Sequence, residues 1–143
     1  MAQPLSKLAV IISPSSNTNG ATASGTVDCK GYDFITIDLV AGTANTASNK
    51  PSALTLTEAD AKTGSFVTFS GAVSGTDYTI PNASTSAANT YKFNVNLVGR
   101  KRFLRLLVNP RTTQVVCAVG NLLKGDQAPV NTTLSGASMQ LDV

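Results

Sequence analysis

The clearest indication of the fold is the stretch YKFNVNLVGRKRFLRLLVNP, residues 91–110. From Tyr91 to Leu97 apolar and polar residues alternate, and residues 102–108 are again mostly apolar. Because successive side chains of a β-strand point to opposite faces, this two-residue period predicts two strands, each with one face in a core. The residues between them, 98–101, include Gly99, which adopts a positive φ without strain. The stretch therefore predicts a β-hairpin whose turn is formed by residues 98–101.

The same two-residue period continues along the rest of the chain, and turn-forming residues interrupt it about every ten residues. The other segments with this pattern are 5–12, 26–29, 32–40, 54–57, 66–69, 77–80, 113–119 and 139–143. A helical period is absent apart from a single predicted turn at 122–125. The sequence predicts an all-β fold: an antiparallel β-sandwich or barrel, jelly-roll-like, with extended terminal segments.

The length and composition are those of one folded domain. The chain has 143 residues, of which 42% are hydrophobic and 13% charged, so it is long enough for a core and too apolar for a disordered chain. We expect an N-terminal strand or arm with a loop at 1–25, a β-sandwich core at 26–124 and a C-terminal arm at 125–143.

Several classes of chemistry are disfavoured by what the sequence lacks. There is no histidine, the commonest general base and transition-metal ligand. Neither a Gly-x-Ser-x-Gly elbow nor a Walker-type phosphate loop occurs. We therefore expect no enzymatic activity, no catalytic residues, no cofactor and no metal site.

The two cysteines, Cys29 and Cys117, both lie in strand-like segments. We expect two buried, reduced thiols, although a disulfide stays open if their strands are neighbours. The first residues, MAQPLSKLAVIISPSS, lack the basic leader and long apolar segment of an export signal. No apolar run is long enough to span a bilayer, and we expect the chain to be made and kept in a cytosol.

Two carboxylates, Glu58 and Asp60, are separated by one residue. On a strand they would share a face, where they could bind calcium or act as an acid/base pair. The simpler interpretation, which we favour, is that residues 58–64 form a hairpin loop whose carboxylates accept hydrogen bonds from nearby backbone N–H groups.

A cluster of cations lies between the two best-defined strands. No acidic residue occurs between Asp77 and Asp126, so the cluster has no oppositely charged partner nearby in sequence. One interpretation is that these charges protect a sheet edge from stray pairing. The other is contact with an acidic surface on a partner or neighbouring subunit, and nucleic acid is disfavoured because few aromatic residues accompany the cations. The candidate contact residues are Arg100, Lys101, Arg102, Arg105 and Phe103.

Four segments together resemble a known family. They are CKGYDFITIDLV at 29–40, PSALTLTE at 51–58, SGAVSGTDYTIP at 70–81 and the opening stretch at 91–110. The most specific pieces are 30–33, 75–81 and 94–104. With these segments the chain resembles, over roughly residues 26–120, the small decoration or cement proteins of tailed bacteriophages.

The resemblance implies a β-rich structural protein of the virion, made in the host cytoplasm, that binds the outer surface of an assembled capsid and stabilises it. It also implies the major capsid protein as partner and a homotrimer, with neither nucleic acid nor membrane as a partner. Phe103 and Leu107 support self-association, because they fall opposite the predicted core face and a monomer would expose them. The alternative is a phage tail or fibre component, or another surface β-module, that binds a receptor or a carbohydrate.

Overall fold

The protein is all-β, as the sequence predicts. The computed structural model describes residues 5–124 and 139–143, which form no helix. The strands are β1 (Leu5–Asn17), β2 (Ala23–Asp28), β3 (Phe34–Ala41), β4 (Ala53–Ala59), β5 (Val67–Val73), β6 (Asn89–Asn96), β7 (Phe103–Asn109), β8 (Gln114–Lys124) and β9 (Met139–Asp142).

The strands pair in a nested order that defines the topology. β1 pairs with β8, β2 with β7, β3 with β6 and β4 with β5, all antiparallel. Such nesting describes one long hairpin, with its tip at residues 60–66, that has been rolled up. Rolling it produces two sheets, in the orders β1-β8-β3-β6-β9 and β2-β7-β4-β5. Without β9, these are the eight strands of a jelly roll, so the predicted jelly-roll-like sandwich is confirmed.

The predicted hairpin at 98–101 is wrong. β6 belongs to the five-stranded sheet and β7 to the four-stranded sheet, so residues 97–102 cross between the sheets. Gly99 nevertheless has the positive φ that the sequence predicts, 78°. Alternation specifies two strands but not whether they pair with each other, because each buries one face in either arrangement.

The core lies between the two sheets and draws on the inner face of every strand from β1 to β8. Ile37, Phe93 and Leu106 are among its fully buried side chains. Phe103 is 8% exposed and Leu107 is half-buried. The expectation that a monomer would expose Phe103 is therefore wrong, because Arg102 and neighbouring strands cover it.

The two sheets approach each other closely along both sides of the sandwich. On one side the backbone of Gly25 in β2 lies against the carbonyl of Ile11 in β1, so that a Cβ on Gly25 would be 1.7 Å from that oxygen. On the other side Gly71 in β5 lies near Val143, so that a Cβ on Gly71 would be 3.3 Å from Cγ1 of Val143. β1 and β2 thus cover each other's edges on one side of the sandwich, and such cover limits stray strand pairing.

The terminal segments contribute to the sheets as far as they are described. Within residues 1–25, β1 places Ile11 and Ile12 in the core. Of the expected C-terminal arm, 125–138 lies outside the described residues, and β9 pairs with β6 in parallel. The predicted strand at 77–80 is instead a turn with one isolated bridge, Ser74 to Tyr78, and the predicted helical turn at 122–125 is strand as far as Lys124.

Both cysteines are free, but only one of them is buried. Burial, with a smaller contribution from the charge of Asp28, raises the pKa of the Cys29 thiol to about 12, so this thiol stays protonated and unreactive. Cys117 is partly exposed because it lies between Val116 and Ala118, both of which face the core. The expectation that both thiols are buried is wrong for Cys117.

Candidate interaction surface

The predicted contact residues lie at one end of the roll. Three connections meet there: 29–33, 60–66 and 97–102. The backbone N–H of Cys29 donates to the carbonyl of Arg102 at 2.9 Å, and that of Leu97 donates to the carbonyl of Asp33, also at 2.9 Å. The connections 18–22, 42–52, 74–88 and 110–113 occupy the opposite end, where Gly20 N–H bonds to the carbonyl of Pro110.

Lys101 is held by both of the carboxylates that the sequence singled out. Its backbone N–H donates to Oε2 of the buried Glu58 at 3.2 Å, and its ammonium group bonds to Oδ2 of Asp60 at 3.0 Å. Each carboxylate therefore has its own partner on one lysine. The predicted loop at 58–64 is therefore correct only in part: Glu58 and Ala59 are the last residues of β4, and the loop begins at Asp60. Of the two carboxylates, only Glu58 accepts the expected backbone N–H, and it does so from a connection distant in sequence.

Arg102 forms a two-pronged ion pair with Asp28. Its Nε and Nη2 lie 2.9 and 2.8 Å from the two carboxylate oxygens, a geometry that only the planar guanidinium offers. The hydrogen bonds from Arg102 lower the pKa of Asp28 to about 2. Both side chains are more than a third exposed, so solvent screens the pair and its contribution to stability is modest.

The other two arginines among the predicted contact residues lie over aromatic rings. The guanidinium carbon of Arg100 is 4.1 Å from the ring centre of Phe69, and that of Arg105 is 3.7 Å from the ring centre of Phe66. Arg105 also donates to the hydroxyl of Thr26 at 3.3 Å. These cation–π contacts orient the arginines on the protein's own surface, so each is held in place before any partner arrives.

The ion pair between Asp28 and Arg102 predicts a specific dependence on acid. The folded-state pKa of Asp28, about 2, lies below its ordinary value of 3.8. The stabilisation is therefore present above pH 3.8 and is lost as the pH falls through about 2. Thermal unfolding should show Asp28→Asn melting below the wild type at pH 6, with the two midpoints converging near pH 2. A gap of constant size across this range would contradict the assignment.

Cations outnumber acids at this end. Of the 11 Lys and Arg residues, eight lie in its connections or within three residues of the adjoining strand ends, against five of the described acids: Asp28, Asp33, Glu58, Asp60 and Asp142. Among the described residues, the ion pairs at this end engage only Lys101 and Arg102. We call this surface the basic end, and its cations outside those ion pairs are Lys7, Lys30, Lys62, Arg100, Arg105 and Lys124.

Four of these six cations were not among the predicted contact residues. Lys7 lies near the start of β1, and its charge helps to lower the pKa of Asp28. Lys124 ends β8 opposite Leu5, and Lys30 and Lys62 lie in the other two connections. All four are exposed, whereas Arg100 is half-buried. Their proximity follows from the strand order, and no local pattern in the sequence signals it.

A second feature is an apolar patch on the outer face of the five-stranded sheet. Of the six large hydrophobic side chains that are exposed in the described residues, four lie there. Leu8 and Val10 are 69% and 60% exposed on β1, and Val115 is 54% exposed on β8. We call these three residues and Val40 of β3 the side patch. It lies on the flank of the roll, roughly at right angles to the basic end.

No group of three or more His, Cys, Asp or Glu residues comes together in the described part of the chain as a metal site would require. None of its segments is a helix capable of crossing a membrane. No protein-family model matches the chain, and no curated protein sequence matches it significantly.

Proposed function

We propose that the chain is a structural virion protein that binds the outer surface of an assembled phage capsid and stabilises it. The proposal rests on the jelly-roll topology, one of the architectures used by viral capsid proteins, together with the sequence resemblance to phage decoration proteins. The observation that carries it is the pair of surfaces on one rigid roll: a basic end and, on its flank, a side patch. A protein bound to the outside of a shell needs one surface that contacts the shell and another that contacts neighbouring copies.

The proposed partner is the major capsid protein, and the mechanism is thermodynamic linkage. A protein that binds the mature shell, but not an open or expanded one, stabilises the mature shell by the free energy of its own binding. A homotrimer that contacts several capsid subunits at once gains effective concentration at each further contact. Neither step requires a reactive group, which fits a sequence without histidine.

The side patch supports the homotrimer, with a second copy of the chain as its occupant. Fully burying a valine or leucine contributes about 1.5–3 kcal/mol, so four partly exposed apolar side chains favour association. Phe103 does not support self-association, because it is buried within one chain, and the proposal rests on the side patch instead.

Introducing a charge into the side patch should separate the copies. We expect Val10→Asp to weaken self-association by about tenfold or more, because an unpaired carboxylate would be buried in the contact. Val67→Asp is the matched control, since Val67 is 47% exposed but lies on the other sheet. Light scattering at micromolar concentration should give an oligomer for the wild type and the control. Equal masses for all three proteins would contradict this use of the patch.

The number of copies per particle tests the proposed function. Purified particles of the phage that encodes the chain should contain it in numbers comparable to the major capsid protein, as measured by quantitative mass spectrometry. A tail, fibre or receptor-binding module would instead be present in a few to dozens of copies. Absence from the particle, or a copy number of that lower order, would overturn the proposal.

A further inference from the structure

The basic end carries an unbalanced charge that the fold itself assembles. Lys7, Lys30, Lys62 and Lys124 come from four separate parts of the chain, yet the jelly-roll order brings them to one end. All four are exposed, and none takes part in the ion pairs found among the described residues. Like charges gathered in this way repel one another, so the arrangement costs stability in the free protein.

Two cations of the predicted contact cluster, Lys101 and Arg102, are paired with acidic residues of the same chain. Asp60 and Asp28 bind them within the chain, and Arg100 lies over Phe69. This inner layer fixes the 97–102 connection, while the four exposed lysines surround it. The surface available to a partner is thus a set of exposed lysines around an internally paired centre.

The mixture of charges favours a protein over a nucleic acid as the partner. Asp60 is 79% exposed at this end and would repel an unbroken line of phosphates, whereas a folded protein can place a cation opposite it. Proteins that bind single-stranded nucleic acid also offer exposed aromatic rings for base stacking. Here Phe66 lies beneath Arg105, Phe103 is buried, and Tyr32 packs against the core.

We infer that the basic end is the surface with which the protein docks onto an acidic protein surface, through Lys7, Lys30, Lys62, Arg100 and Lys124. The inference rests on the proposed function, under which the acidic partner surface is a patch on the outside of the capsid shell. The side patch stays free for neighbouring copies, because it lies on the flank. Exposed charge pairs are individually weak, so affinity comes from several of them and falls as salt rises.

The test uses two charge-matched variants of the full chain. Lys30→Ser/Lys62→Ser removes two cations from the basic end. Lys50→Ser/Arg111→Ser removes two from the opposite end, which leaves the same net charge. Each protein is added to purified shells that lack it, and bound copies are counted at several salt concentrations. A duplex DNA of about 30 base pairs serves as the second probe.

We expect the basic-end variant to bind shells about fivefold or more weakly than the wild type, with a smaller dependence on salt. The control should bind within about twofold of the wild type. Equal weakening of both variants would mean that only net charge matters, and unchanged binding of both would place the contact elsewhere; either result overturns the inference and leaves the proposed function standing. Unchanged shell binding with loss of DNA binding in the basic-end variant would favour a nucleic acid and also overturn it. A wild-type protein that fails to bind shells would overturn the proposed function as well.

Discussion

Gly25→Ala is expected to destabilise the fold by about 3 kcal/mol or more, because the added Cβ would overlap a backbone atom. That Cβ would lie 1.7 Å from the carbonyl oxygen of Ile11 and 2.5 Å from its carbonyl carbon. Backbone cannot rotate away as a side chain does, so β1 and β2 would have to separate. These strands belong to different sheets, and the substitution therefore opens one closed side of the sandwich.

Gly42→Ala is the matched control. Gly42 directly follows β3, and a Cβ there would meet its nearest atom, the backbone nitrogen of Val115, at an ordinary 3.7 Å. Its φ is not positive, so alanine should be neutral or slightly stabilising. Urea unfolding of the two variants gives the comparison. Similar free energies of unfolding for both would contradict the close approach of β1 and β2.

Phe93→Ala should cost about 3–5 kcal/mol, the range for removing a fully buried aromatic side chain. Phe93 is 0% exposed and meets Tyr78 edge to face, with ring centres 6.4 Å apart and planes at 73°. The hydroxyl of Tyr78 donates in turn to the carbonyl of Leu54 in the opposite sheet. The substitution would therefore leave a cavity and loosen a link between the two sheets.

The control for Phe93→Ala is Val67→Ala, a truncation of a half-exposed residue of β5 that lies outside the side patch. It should change the free energy of unfolding by less than about 0.5 kcal/mol, as surface substitutions usually do. Denaturant titration of both variants, with the slope of the transition compared to that of the wild type, separates lost stability from a changed unfolded state. A cost below about 1 kcal/mol for Phe93→Ala would contradict the packing described for the core.

The strands themselves were predictable because burial of one face imposes a period of two residues. Tyr91, Phe93 and Val95 alternate in the sequence and are buried as expected. The pairing of strands was not predictable in the same way. Residues 97–102 have the composition of a hairpin turn, yet they cross between sheets, and the parallel pairing of β9 with β6 has no signal in either strand.

The candidate site was predictable only in part. The sequence located a basic cluster and correctly gave it no acid nearby in the chain, but Asp60 and Asp28 bind its side chains from 41 and 74 residues away in sequence. The cations that stay unpaired, such as Lys30 and Lys62, are isolated in the sequence and gave no signal. Long-range pairing decides which charges are neutralised, and local composition carries no information about it.

The most direct test of the account is a cryo-electron microscopy reconstruction of the phage particle at a resolution that traces this chain. The account predicts jelly rolls on the outside of the shell, in numbers comparable to the capsid protein, each with its basic end against acidic side chains of the shell and its side patch against a neighbouring copy. Density for the chain only at the tail, or a roll that contacts the shell through the 42–52 and 74–88 connections instead, would contradict it.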